Sequence, residues 1–200
     1  KAMGFDFKAG LSAVNVGKMM ETHAPNWKEA LTGTMNGNFA VSGHGLRTQQ
    51  LEQSLAGGLS GDVKDGKLTL PVVKLVDMVM SSIPQGLGKK AEDGVKGKEH
   101  HGEFKTMKLV TAIKVRKIDI QDIDVQYDTA GVGALRFKAT GVATFDQQVE
   151  ITGTAFMSPE VVRVAELRGP SGQIEIPMKM KGPMADPKPD IGYSMGILGP

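Results

Sequence analysis

From Phe104 to Met180 the chain alternates apolar and polar residues in four successive runs, a period that a helix cannot use and a half-buried β-strand requires. Met107, Leu109, Thr111, Ile113 and Val115 share one face of the first run, opposite Lys108, Lys114 and Arg116. Leu135, Phe137, Ala139, Ala143 and Phe145 alternate with Arg136, Lys138, Thr140 and Thr144. Val149, Ile151 and Ala155 alternate with Glu150, Thr152 and Thr154, and Ile174, Ile176, Met178 and Met180 with Glu175, Lys179 and Lys181. The phase slips between Ile120 and Ile123, which predicts a bulge or tight bend at Gln121-Asp122. Each strand so drawn has one wet and one dry face. Parallel neighbours would need crossover helices that this half does not contain, so the strands must pair antiparallel through short turns.

Upstream, the pattern is more mixed. Phe5 to Leu11 reads as a short strand, and Asn15 can cap one or two helical turns through Glu21. Met35, Phe39 and Val41 alternate with Thr34, Asn36 and Asn38, a further strand. Thr48 to Ala56 carries Leu51 and Leu55 at i, i+4 before Gly57-Gly58, the signature of a short amphipathic helix with a glycine stop. Leu59 to Leu70 reads as a hairpin turning at Asp65-Gly66. Pro71 to Ile83 reads as a helix apolar round most of its circumference and ended by Pro84, and Gln85 to Gly102, rich in Gly and Lys, as a loop. The fold class expected is therefore mainly β (α+β): a curled antiparallel sheet with an apolar inner face and a few short helices at its end or over it. One domain spans 1–190, with a tail at 191–200.

The absence of cysteine removes disulfides, thiolate zinc sites and cysteine nucleophiles, while leaving the compartment open. A net charge of +2 on 24 basic and 22 acidic residues gives no field that would recruit nucleic acid. Aromatic residues make up only 5% of the chain against 12 methionines, a mix suited to a pliable apolar surface more than to base stacking. No apolar stretch approaches the ~20 residues that cross a bilayer. The chain neither starts with Met nor carries a basic-then-apolar leader, and it reads as a piece of something longer.

The chemistry-bearing constellations do not assemble into sites. Gly61 to Leu68 fits the frame of a phosphate-binding loop except at its last residue, but Asp62 and Asp65 would repel phosphates and a strand follows where a helix N-terminus is needed. Glu99, His100, His101 and Glu103 collect metal-binding side chains in a Gly/Lys loop without a second shell. Asp119, Asp122, Asp124 and Asp128 lack the spacing of a calcium hand and read as the wet edge of a strand. Ser12, Ser54 and Ser158 lie in no nucleophile-elbow context, although His23 and His44 are present. The expectation is a protein that is no enzyme and carries no metal or cofactor.

Three stretches together resemble the C-terminal region of the AsmA family of Gram-negative envelope proteins. The first runs from Leu31-Thr32-Gly33-Thr34 through Ser42-Gly43-His44-Gly45-Leu46 to Leu55–Leu68, similar to a strand ending in S-G-x-G-L, a short helix and a hairpin. The second is Leu135–Asp146, an alternating strand with a central Gly141. The third is Ile176–Asp190, similar to the closing I-P-V-x-V-x-G-x-x-x-D-P element. The resemblance covers roughly Ala13 to Asp190 and implies a periplasmic domain whose parent chain is anchored in the inner membrane by a part absent here. It also implies a role in outer-membrane biogenesis and in moving phospholipid between membranes, with no catalytic residues to carry over.

A sheet with one long apolar face must cover it. Three short helical patterns offer little cover, so the remaining stripe is expected to hold lipid acyl chains. The residues proposed to bind them are Met107, Leu109, Ile113, Val115, Leu135, Phe137, Phe145, Ile151, Ile176 and Met178, with the 71–83 helix as lid or end plug. Five strands at ~4.8 Å extend ~24 Å, too little to bridge two membranes, which makes the module part of a longer conduit or one end of it. The Lys89, Lys90, Lys96 and Lys98 loop could meet acidic headgroups. The competing expectation is a scaffold domain assisting outer-membrane protein assembly, contacting other envelope proteins, with a closed core and no ligand.

Overall fold

The computed structural model describes residues 3–23, 31–68, 102–127, 135–158, 168–183 and 187–190. Within them the chain forms β1 (Gly4–Asn15), α1 (Val16–His23), β2 (Thr34–His44), α2 (Thr48–Ser54), β3 (Ala56–Lys67), β4 (Glu103–Lys114), β5 (Lys117–Tyr127), β6 (Leu135–Thr144), β7 (Gln148–Met157), β8 (Ile174–Pro183) and the two-residue β9 (Lys188–Pro189). The strands lie side by side in chain order in one antiparallel sheet that does not close on itself, as the alternation requires. The eight full strands, at ~4.8 Å spacing, make a sheet about 34 Å wide, broader than the five-strand estimate because β1, β2 and β3 join it.

Pairing places complete rows of side chains on one face. Met35, Val63, Met107, Val125, Phe137, Ala155 and Ile176 are successive cross-strand partners, and every one of them is buried. They belong to a single apolar cluster that also takes in Val16 of α1 and the four alternate residues Ile174, Ile176, Met178 and Met180 of β8. Burial of each such side chain contributes about 1.5–3 kcal/mol, so this face supplies the main drive to fold. The opposite face carries ion pairs: Lys108–Asp122 at 2.9 Å, Lys114–Asp119 at 3.0 Å, Lys179–Glu150 at 2.6 Å, and Arg136 with Lys138 on Asp124.

The predicted slip falls where expected. Val110 pairs with Asp122 and Thr111 with Ile120, which leaves Gln121 as the extra residue of a bulge. A shift at the same place appears between β5 and β6. The expected hairpin at Asp65-Gly66 is not a hairpin. Residues 56–67 form one strand, paired with β2 on one side and β4 on the other. Asp65 has φ 49° because four residues advance from Lys64 to Leu68 while three advance from Thr34 to Leu31, so it sits in a bulge and not at a chain reversal. Asp-Gly satisfies either geometry, and the local pattern does not separate them.

Asn15 caps α1 as expected, its Oδ1 accepting the Lys18 N–H at 2.9 Å. The second helix ends earlier than its glycines suggest. Leu55 is already extended, and Gly57 and Gly58 belong to β3. The expected 71–83 helix, the loop at 85–101 and the tail at 191–200 lie outside the described residues.

Candidate functional site

The strands run between two ends. At one lie α1, Leu68, Phe104, Tyr127, Leu135, Met157 and Ile174; at the other lie α2 and the β4–β5 and β6–β7 turns. Along the apolar face, the large side chains of β6, β7 and β8 are covered apart from Leu135 at the start of β6: Phe137, Ala139, Ala143, Val149, Ile151, Ala155, Ile176, Met178 and Met180 are all buried. The same face over β1 to β5 loses cover towards the α2 end. Leu11, Phe39, Val41, Leu59, Leu109, Ile113, Ile118, Ile120 and Ile123 are half-buried there, and Phe7 is 54% exposed. Phe7 packs diagonally on Phe39 with ring centroids 6.4 Å apart and planes tilted by 57°, so an aromatic contact joins the outer two strands.

This gradient divides the ten residues of the expected lipid stripe. Met107, Leu109, Ile113, Leu135, Phe137, Ile151, Ile176 and Met178 do share one face, as pairing dictates. Met107, Phe137, Ile151, Ile176 and Met178 are packed in the core, whereas Leu109, Ile113 and Leu135 keep accessible surface. Val115 and Phe145 lie beyond the strand ends, in the turns after β4 and β6, and Val115 is 60% exposed. These turns lie side by side, the Phe145 N–H donating to the Arg116 carbonyl at 3.1 Å. Arg116 also reaches Asp146 at 3.2 Å and Glu52 of α2 at 3.5 Å, tying the helix to the turns. Phe5, Phe7, Leu59, Ile118 and Ile120 were not among the ten. Glycines blur the alternation of β1 to β3, and the phase slip at Gln121 blurs that of β5, so only the three-dimensional register brings these residues to the same face.

At the covered end one polar group interrupts the apolar surface. The Tyr127 hydroxyl is buried and has no hydrogen-bond partner among the described residues. Burial alone pushes its ionisation well above the ordinary tyrosine value, so it stays neutral. On the outer face Arg136 grips Asp124 with two N–H groups, Nε lying 2.6 Å from Oδ1. That hydrogen bond, opposed by desolvation and aided by the charges of Arg136 and Lys138, holds the Asp124 carboxyl below the usual range.

Asp119, Asp122 and Asp124 each face a basic partner, and their strand β5 is central in the sheet, so they neutralise lysines and arginine and do not guard an edge. Asp128 lies outside the described residues, as do Glu99, His100 and His101. Among the described residues no three metal-binding side chains gather. Gly61 to Lys67 is strand, which gives phosphate no helix terminus. Ser54 bonds to the His44 main chain, donating to its carbonyl at 2.6 Å and accepting its N–H at 2.8 Å, an anchor for α2 against β2. Among the described residues no helix is long and apolar enough to cross a membrane. Comparison with known proteins finds no matching family model, no similar curated protein and no similar solved structure.

Proposed function

We propose that this chain is a non-enzymatic envelope module that holds lipid acyl chains against the open part of its apolar sheet face, in the service of phospholipid transport and outer-membrane biogenesis. The observation that carries this reading is the gradient of cover along a single face: covered over β6 to β8 apart from Leu135, half-open over β1 to β5. An acyl chain lying along Phe39, Leu59, Leu109, Ile113, Ile118 and Ile120 would remove its methylenes from water at about 0.8 kcal/mol each, so ten methylenes supply about 8 kcal/mol before ordering costs. Such binding needs no specific polar contact. The AsmA resemblance of the Leu31–Leu68, Leu135–Asp146 and Ile176–Asp190 stretches supplies the compartment: the periplasm, with the parent chain anchored in the inner membrane.

Uptake of a fluorescent fatty acid by the purified chain, with native mass spectrometry of co-purified lipid, tests the reading. The expected result is saturable uptake that Leu109→Ser and Ile113→Ser weaken at temperatures where unfolding curves show both variants still folded. A chain free of lipid that also fails to take up the probe would overturn it. The scaffold reading draws support from the burial of β6 to β8 and predicts that second outcome, together with a stable complex with other envelope proteins.

A further inference from the structure

The two edges of the sheet are unlike. Among the described residues β8 also meets the two-residue β9 and an isolated bridge from Arg168 to Ile174, and Pro177, Lys179, Lys181 and Pro183 punctuate the strand, devices that discourage a further strand from pairing. β1 has none of that protection before its bulge at Leu11/Val14. It bonds to β2 alone among the described strands, contains no proline, and leaves Phe5 and Phe7 44% and 54% exposed, just after Met3 at 69%. Its only charges are Asp6 and Lys8, both exposed on the outer face, and neither forms an ion pair among the described residues.

We infer that β1 pairs antiparallel with β1 of a second copy, in the register that places Phe7 opposite its own symmetry mate. An antiparallel ladder keeps partners on the same face only if their numbers sum to an even value, which leaves few choices. Centring the two-fold on Asp6 sets Asp6 against Asp6, and centring it on Lys8 sets Lys8 against Lys8. Centring it on Phe7 sets Asp6 against Lys8 twice, and like charges directly opposed are disfavoured where unlike ones attract. The same register puts Phe5 across from Ala9 and Gly4 across from Gly10, large against small. A two-fold normal to the sheet brings both apolar faces to the same side, so pairing covers Phe5 and Phe7 and makes the two half-open faces continuous.

Sedimentation equilibrium of the full chain across a concentration series is the test, with circular dichroism confirming that each variant folds. A monomer–dimer equilibrium is expected. Asp6→Lys and Lys8→Asp should each weaken dimerisation by about tenfold, since each turns two attractive cross-strand pairs into repulsive ones. The double variant Asp6→Lys/Lys8→Asp should restore it. Because the chain has no cysteine, Phe7→Cys supplies an independent readout: mild oxidation should give a covalent dimer, and Gln148→Cys at the distant start of β7 should not. A chain that stays monomeric throughout, a dimer indifferent to the charge variants, or a charge swap that fails to restore association would overturn the inference. So would Phe7→Cys cross-linking no better than Gln148→Cys.

Discussion

Ile176 and Ile113 stand on the same face of the same sheet, yet Ile176 is 1% exposed and Ile113 is half-buried. Their local sequences are equally strand-like. What differs is position: Ile176 lies in β8 among three other fully enclosed alternate residues, and Ile113 lies near the α2 end of β4, opposite Gly57 and Ile118. Period two assigns a side chain to a face, and the rest of the fold decides how much of that face water reaches. One half of this surface therefore serves as core, and the other half keeps apolar area available.

The sharpest way to break this distinction is truncation. Ile176→Ala is expected to cost about 2–5 kcal/mol, from lost transfer energy plus the cavity left in a packed site. Ile113→Ala should cost well under half as much. Urea unfolding midpoints measure both, and equal losses would show that the two halves are equally enclosed.

Glycine replacement draws a second contrast, between the packed apolar face, where Gly153 lies opposite Ala139, and the outer face, where Gly10 lies opposite Asn38. A Cβ on Gly153 would lie 2.7 Å from the Ala139 Cβ and 2.9 Å from the Phe137 ring, inside contact distance, so Gly153→Ala should cost about 1–3 kcal/mol by overpacking. A Cβ on Gly10 would meet no atom within 4 Å, and Gly10→Ala should be neutral or stabilise by up to about 1 kcal/mol through reduced freedom of the unfolded chain. Thermal denaturation of the two variants would undo the division if the signs came out reversed.

Tyr127→Phe carries the opposite sign at the buried α1 end of β5. Because the hydroxyl is buried without a partner among the described residues, its removal should raise stability by about 1 kcal/mol, whereas a hydroxyl engaged in a hydrogen bond would make the change destabilising.

The smallest expected effect lies on the outer face, which both halves share. The Asp124 carboxyl titrates below its ordinary range, so the folded form holds its proton more weakly than the unfolded form. Its contribution is then fully present above the ordinary aspartate value of about 3.9 and is lost as pH falls through the lower folded value. The stability gap between the native chain and Asp124→Asn, followed by urea titration from neutral to acid pH, should shrink only across that acid window. A gap constant with pH would assign Asp124 a role other than its charge.

Much of the fold could be read from residue order. The strands β4 to β8, their wet and dry faces, the bulge at Gln121 and the Asn15 cap all follow from period two and from simple capping chemistry. The early strands were harder for a physical reason. Gly10, Gly37, Gly57, Gly58 and Gly61 interrupt the apolar series, and Asp65-Gly66 suits a turn and a bulge alike. The candidate surface was half legible. Leu109, Ile113 and Leu135 were visible as dry-face residues, but nothing local distinguishes them from Met107 or Met178, whose enclosure depends on neighbours distant in sequence. Phe5 and Phe7 joined the surface only through pairing with β2, which places them across from Gly43 and Val41.

The bulge in β5 has a consequence for how this chain tolerates change in length. Excising Gln121 would leave Ile120, Asp122 and Ile123 in plain alternation, with Thr111, Val110 and Leu109 still facing them across β4. The ladder thus contains one letter more than its pairing scheme needs, and losing that letter costs no partner. Removing Asp122 in its place would move Gln121 into the outer position opposite Val110 and leave Lys108 without its carboxylate. The spare residue is free to set the bend of the sheet at its midline, so a shortened chain should pair as before and lie flatter.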